Sequence, residues 1–182
     1  MWGYIVFFLF VLICVYVYVL YNNFIKLENK VKEAFSTMDV YLKKRWDLIP
    51  NIVDSVKGYA SHEKETLEHI VSLRNSEYDD LSSDDKIKTN KKLNRDINQI
   101  MALVESYPDL KASENFKDLS DKLVMIEDDI ANSRKYYNAV VRLFNNKVEM
   151  FPSNILAKIF GFKQYKMFEA TDSERQNIKV DL

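Results

Sequence analysis

The chain has 182 residues, and its 26 basic and 27 acidic side chains nearly cancel and lie interspersed from Lys26 onward, so no block of one sign marks a nucleic-acid surface. Three glycines and three prolines are too few for the turns of an all-β fold, and too few for a phosphate-cradling glycine loop or a nucleophile elbow. The single cysteine, Cys14, excludes a disulfide framework, and a mean hydropathy of −0.28 after so greasy a start requires the remainder to be polar.

Residues 2–23 carry no charged side chain, and residues 2–21 are nearly all Val, Ile, Leu, Phe or Tyr. A helix rises ~1.5 Å per residue, so about twenty residues cover the ~30 Å hydrocarbon core of a bilayer. Backbone groups in lipid must be satisfied internally, which makes the segment helical despite its β-branched content. Trp2 and Tyr4 at one end, with Tyr18 and Tyr21 at the other, suit the two interfacial belts. A cleavable signal peptide fits poorly, because no basic region precedes the core and no Ala-x-Ala follows it. Leu12-Ile13-Cys14 is likewise a poor lipoprotein signal, and the segment is too long for a buried strand. Lys26, Lys30, Lys32, Lys43, Lys44 and Arg45 all follow the span and none precedes it, so the positive-inside rule puts the N-terminus outside and the domain in the cytoplasm.

No linker follows the anchor. Phe24, Leu27, Val31, Phe35, Met38, Leu42, Trp46, Ile49, Val53 and Val56 continue in steps of three and four, one face of a helix. The anchor is therefore expected to run unbroken into the first bundle helix, with a kink or short break at Pro50 and an end near Gly58 and Tyr59. Ser61 reads as the N-cap of a second helix with Glu63 and Glu65 in its first turn and Leu67, Ile70, Arg74 and Tyr78 along its stripe. Ser82, Ser83, Asp84 and Asp85 open a third, lined by Ile87, Leu93, Ile97, Ile100, Met101 and Val104 and stopping before Pro108. Ser113 can cap the longest helix, with a stripe from Phe116 through Leu123, Ile130, Tyr137, Val141 and Phe144 to Phe151, ended by Pro152. At ~1.5 Å per residue that helix is about 55 Å long. The sequence thus predicts an all-α protein: a single N-terminal transmembrane helix continuing into an elongated antiparallel four-helix bundle. The boundaries are an anchor over residues 1–23, a bundle over 24–162 that includes the short apolar stretch 155–162, and a tail over 163–182 of open structure.

Three ordered sets of residues resemble the LemA family. The first is Glu33-Ala34-Phe35-Ser36, Asp39-Val40, Lys43-Lys44-Arg45-Trp46-Asp47-Leu48-Ile49-Pro50-Asn51 and Val56-Lys57-Gly58-Tyr59-Ala60 with His62-Glu63. The second is Tyr107-Pro108-Asp109-Leu110-Lys111-Ala112 with Asn115-Phe116. The third is Tyr137-Asn138, Phe144-Asn145-Asn146, Phe151-Pro152, Gly161-Phe162 and Phe168-Glu169-Ala170. Trp46 stands where the family more usually has tyrosine, and Phe35 where tryptophan is frequent. The resemblance implies a bacterial single-pass membrane protein with a long-helix bundle, and it implies no activity.

Candidate chemistry is thin. Glu65 and His69 share the i, i+4 spacing of a helical metal site, and His62-Glu63 starts a zinc-protease pattern that Thr66 breaks; surface residues are the preferred reading. Asp39, Lys43 and Asp47 run in i, i+4 steps, either as a paired helix face or as a docking face, while Arg45 and Asp47 could fix helix register through buried polar contacts. Tyr107-Pro108-Asp109-Leu110 and Phe151-Pro152-Ser153-Asn154 read as helix stops. Cys14 in lipid is read as inert, palmitoylation being the alternative. The span lacks GxxxG and any charge, so it signals neither tight dimerisation nor ion transport. No catalytic, cofactor or metal residues are assigned. The expectation is a membrane-tethered, non-enzymatic interaction or scaffold protein that meets the lipid bilayer through residues 2–21 and a protein partner through its bundle, with no nucleic acid. The alternative is an accessory subunit of a larger membrane assembly; an enzyme would need a polar pocket between helices.

Overall fold

A computed structural model describes residues 1–60 and 78–168. The described residues are helical, with α1 (Trp2–Lys57), a 3₁₀ turn (Tyr78–Asp80), α2 (Ser83–Val104), α3 (Pro108–Ala112), α4 (Glu114–Glu149) and α5 (Ser153–Phe160), and no strand among them. The second helix expected from Ser61, with Glu63, Glu65, Leu67, Ile70 and Arg74, lies outside the described residues.

The anchor and the first bundle helix are one element. The most apolar 18-residue window of α1 has a mean hydropathy of 2.7 and is only 6% buried, so this is not the core helix of a water-soluble protein. Helix continues through Pro50, so of the two expected outcomes, kink or short break, the break does not occur. A helix-interior proline costs ~3 kcal/mol or more. Its neighbours Ile49, Ile52 and Val53 are 2%, 2% and 0% exposed, and burying each stabilises by roughly 1.5–3 kcal/mol, so packing outweighs the local penalty.

The described chain divides into two compact units. The first takes Met1–Thr37 and Arg134–Met167; the second takes Met38–Ser133 with Phe168. In the first unit an aromatic cluster forms the core. Phe24 is fully buried, stacks on Phe162 at 4.7 Å between centroids, and meets Phe144 edge-on at 6.1 Å. Phe35 meets Tyr137 edge-on at 5.8 Å. Phe24 with Phe144 and Phe35 with Tyr137 pair in opposite chain order, so α1 and α4 run antiparallel within this unit.

Helix α4 ends at Glu149, two residues before Phe151, which was expected on its buried stripe but is 78% exposed. The helical phase that would have turned Phe151 inward has stopped by then. Ser153, buried at the start of α5, directs its hydroxyl at the carbonyls of Lys147 and Met150 at 2.7 and 2.8 Å and so satisfies the end of α4. Gly161 closes α5 at φ 77°, and the N–H of Phe162 reaches back to the Ala157 carbonyl at 2.9 Å, a Schellman-type ending.

The chain then packs back along α4 as an extended strap, resolving the first part of the tail that the sequence leaves open. The Asn145 side-chain amide donates to the Tyr165 carbonyl at 2.8 Å and accepts from the Tyr165 N–H at 2.9 Å. The Tyr137 hydroxyl donates to the Lys166 carbonyl at 3.0 Å, and the Tyr165 hydroxyl to Glu28 Oε1 at 3.1 Å. Residues 169–182 of the expected tail lie outside the described set.

In the second unit, α2 opens within the expected Ser82–Asp85 signal, and Ser82 is its cap, accepting from the Asp85 N–H at 3.2 Å. Ile87, Leu93, Ile97, Ile100 and Val104 face inward, with Asn90 among them. Pro108 does more than stop a helix: α2 ends at Val104, and Pro108 opens the five-residue α3 at its first position, where a missing N–H costs nothing.

Neither Gly58 nor Gly161 would meet a clash through an added Cβ, but only Gly161 has a positive φ. Gly161→Ala is therefore expected to cost about 1 kcal/mol, while Gly58→Ala costs little or nothing. Denaturant unfolding of both variants in detergent micelles checks the contrast; equal losses would contradict the left-handed assignment.

Candidate functional site

The polar chemistry of the second unit gathers around the middle of α1. Met38, Leu42, Ile49, Ile52 and Val56 are buried at helical spacing, and that spacing carries Arg45 inward with them, 1% exposed. Its Nη1 donates to Asn94 Oδ1 and Glu127 Oε1, each at 2.7 Å, and its Nη2 donates to Asn90 Oδ1. Asn90 and Asn94 lie one turn apart on α2, and Glu127 comes from α4, so one guanidinium ties three helices. Its Nε has no hydrogen-bond partner among the described residues.

A second cluster sits about two turns earlier on α1. Asp39 accepts from the Tyr78 hydroxyl at 2.7 Å through Oδ1 and from Lys86 Nζ at 2.7 Å through Oδ2. Lys86 Nζ also stands over the Tyr78 ring at 4.7 Å, and Trp46 packs on that ring at 5.5 Å. Burial, foremost, and then the hydrogen bond and charge of Asp39 hold the Tyr78 phenol well above the usual 10.0, against the opposing charge of Arg45. In the first unit, burial and then the charge and hydrogen bond of Glu28 push Tyr165 the same way. A phenol held protonated in this way is a hydrogen-bond donor at neutral pH, not a general base.

The expected Asp39–Lys43–Asp47 ladder is therefore only half formed. Lys43 pairs with Asp47 at 3.0 Å on the exposed face, whereas Asp39 turns to Tyr78 and Lys86. A part-buried carboxylate gains more from two charge-assisted donors across the bundle than from an exposed i, i+4 pair worth a few tenths of a kcal/mol. Of the two residues read as register-fixing, Arg45 is buried and Asp47 is exposed.

Asp47 instead lines an open groove of ≈470 Å³ between α1 and α4. Leu48, Met125 and Ile126 supply its apolar lining, with Lys44, Asp47, Asn51, Lys122 and Asp129 as polar neighbours. Met125 is 68% exposed. The sequence reading missed Tyr78, Lys86, Asn90, Asn94 and Glu127 as partners. The one signal for them is Asn90, a polar residue three positions from both Ile87 and Leu93 on an apolar stripe. His62, Glu65 and His69 lie outside the described residues, and among the described ones no cluster of three or more metal-ligating side chains occurs. Cys14 is exposed on α1 within the apolar segment.

Arg45→Ala leaves a cavity and strips the buried Asn90 and half-buried Asn94 of their common donor, while Glu127, 40% exposed, turns to solvent; a loss of about 2–4 kcal/mol is expected. Arg45→Lys should recover only a minor part, since one ammonium cannot reproduce the guanidinium fork. Thermal unfolding by circular dichroism checks both; full rescue by lysine would contradict the three-helix tie. For the phenols, raised folded-state values mean a contribution that is intact below pH 10 and lost as pH rises beyond it. In a phenolate absorbance titration, Tyr78→Phe should remove the last-titrating tyrosine and flatten the alkaline loss of stability.

The family model described as LemA family matches residues 34–182. Protein LemA of Metamycoplasma hominis is 31% identical over 162 residues, 86% of this chain and 72% of that protein. Magnetosome protein MamQ 1 of Paramagnetospirillum magneticum is 37% identical over 73 residues, and MamQ of Magnetospirillum gryphiswaldense 35% over 72, each match covering 40% of this chain and 27% and 26% of those proteins. With a family match over most of its length, similarity to a protein named LemA over 86% of the chain and the helical architecture described above, the chain belongs to the LemA family.

Proposed function

We propose that this chain is a membrane-anchored, non-enzymatic interaction protein whose bundle offers the α1–α4 groove to an amphipathic helix of a partner protein. The groove is the observation that carries the reading. Its lining of Leu48, Met125 and Ile126 is apolar, and its polar neighbours Lys44, Lys122, Asp47 and Asp129 carry both signs of charge. That pattern fits a helix laid in a groove with anchors every three or four residues. A small ligand would need most of its surface enclosed, and this groove, with Met125 68% exposed, is open to solvent. The Arg45 tie next to it supports the reading as well, since pre-organised helices lose little freedom on binding. Residues 2–21 hold the domain to the bilayer, and the basic residues that follow them favour the cytoplasmic face.

The magnetosome designation of the MamQ relatives favours a second reading, an accessory subunit of a larger membrane assembly.

Proximity labelling in native membranes, with the label source fused to the bundle, tests the proposal. A short list of cytoplasmic proteins, or cytoplasmic parts of membrane proteins, is expected, and Leu48→Asp or Met125→Asp should deplete it several-fold while the thermal melt stays close to that of the parent. A labelled set unchanged by both variants would overturn the groove reading. One dominant partner in fixed stoichiometry favours the subunit reading, and extracytoplasmic labelling overturns the topology.

A further inference from the structure

Outside the anchor, the exposed apolar side chains are concentrated in one place. Among the described residues after residue 23, twelve large hydrophobic side chains are exposed, and five of them (Met150, Phe151, Ile155, Ile159 and Phe160) fall within residues 150–160. Single exposed hydrophobic residues are ordinary; a contiguous group of this kind marks a contact surface.

Helix α5 also reverses the usual polarity of a surface helix. Its buried residues, Ser153 and Ala157, are small and one turn apart, whereas Ile155 and Ile159 point outward, 51% and 68% exposed. A helix on the surface of a water-soluble domain puts its large apolar residues toward the core and its polar ones toward solvent. Phe151, in the turn that precedes the helix, is 78% exposed.

The position of this helix identifies what covers it. The Phe160 ring lies 4.9 Å from the Tyr21 ring, and Phe160 shares an apolar cavity of ≈390 Å³ with Ile13, Cys14, Val17 and Tyr18. The C-terminal end of α5 therefore stands beside the last turns of the apolar segment of α1. Lys158 and Lys163 are exposed on either side of Phe160 and Gly161, with stems long enough to carry their charges to phosphate headgroups while the surrounding apolar surface stays deeper.

We propose that α5, with the Met150–Phe151 turn before it, is a second membrane-contacting element: a short interfacial helix whose Phe151, Ile155 and Ile159 side chains enter the acyl boundary of the same bilayer that α1 crosses. The occupant of this face is lipid because the face is continuous with the anchor surface, and the flanking lysines favour anionic headgroups. The proposal rests on residues 2–21 being the membrane span. It makes the attachment of the first unit two-point, with the span fixing position and α5 fixing rotation about the span.

The test uses the full chain in vesicles of phosphatidylcholine and phosphatidylglycerol. In a Cys14→Ser background, single nitroxide labels are placed through Ile155→Cys, Ile159→Cys, Val11→Cys and Lys117→Cys, and their collision with oxygen is compared with their collision with a water-soluble nickel chelate. The labels at 155 and 159 are expected to lie between those at 117 and 11, with an oxygen-to-nickel ratio several-fold above that at 117. Nickel-favoured labels at 155 and 159 with an oxygen-favoured label at 11 would overturn the interfacial helix alone. Labels at 155 and 159 shielded from both reagents would overturn it in favour of a protein cover. A nickel-favoured label at 11 would overturn the anchor, and this inference with it.

Discussion

Burying a guanidinium obliges the surrounding structure to supply acceptors, and the second unit is organised around that obligation. A buried guanidinium needs its N–H donors matched, so Arg45 depends on Asn90, Asn94 and Glu127 being held in place. The two asparagines must share one face of α2, and Glu127 must reach in from α4, which fixes the rotation and the longitudinal position of both helices against α1. Apolar packing alone would tolerate sliding by a turn. A fork of directed hydrogen bonds does not, and the Asp39 cluster two turns away imposes a matching constraint through Tyr78 and Lys86. Both clusters pair increasing positions on α1 with increasing positions on α2, so these helices run parallel within the second unit.

Much of this architecture was legible from periodicity. Of the residues expected inside α1, Phe24, Val31, Met38, Leu42, Trp46, Ile49, Val53 and Val56 are buried, while Leu27 and Phe35 are half-buried. So are most of those expected along α2 and α4. Local signals also placed the start of α2 at residues 82–85, because a capping side chain acts on a neighbour three residues away. What periodicity could not reach was partnership. Arg45 sits on the apolar stripe, so its burial was readable, but its partners lie 45, 49 and 82 positions away and no local pattern encodes them. Asp39 was misread for the same reason, since a nearby lysine on the same helix gave way to a tyrosine and a lysine from elsewhere.

At Pro50 the helix continues, as the kink alternative allows, whereas Phe151 was misplaced. At Phe151 a pattern was extended past the end of the helix that generated it. Helix periodicity describes residues only while the backbone remains helical, and α4 stops two residues short. The apolar character of the residues that follow was visible in the sequence; the outward direction of their side chains was not, because it follows from the turn at Pro152 and the small buried residues of α5.

The strap after Gly161 was invisible to pattern reading because it is held largely through its backbone. Asn145 binds the two polar groups of one peptide unit's residue, Tyr165, and Tyr137 binds the next carbonyl, at Lys166; every amino acid but proline offers these groups. Such a segment follows a different rule of evolutionary change from the helices. The backbone contacts that fix its path do not read side-chain identity, although Gln164 adds a side-chain hydrogen bond to Glu149. Inserting or deleting one residue between Gly161 and Tyr165 would displace both anchored positions and take Phe162 or Tyr165 out of the aromatic cluster. Relatives sharing this strap should therefore preserve its length more faithfully than its composition.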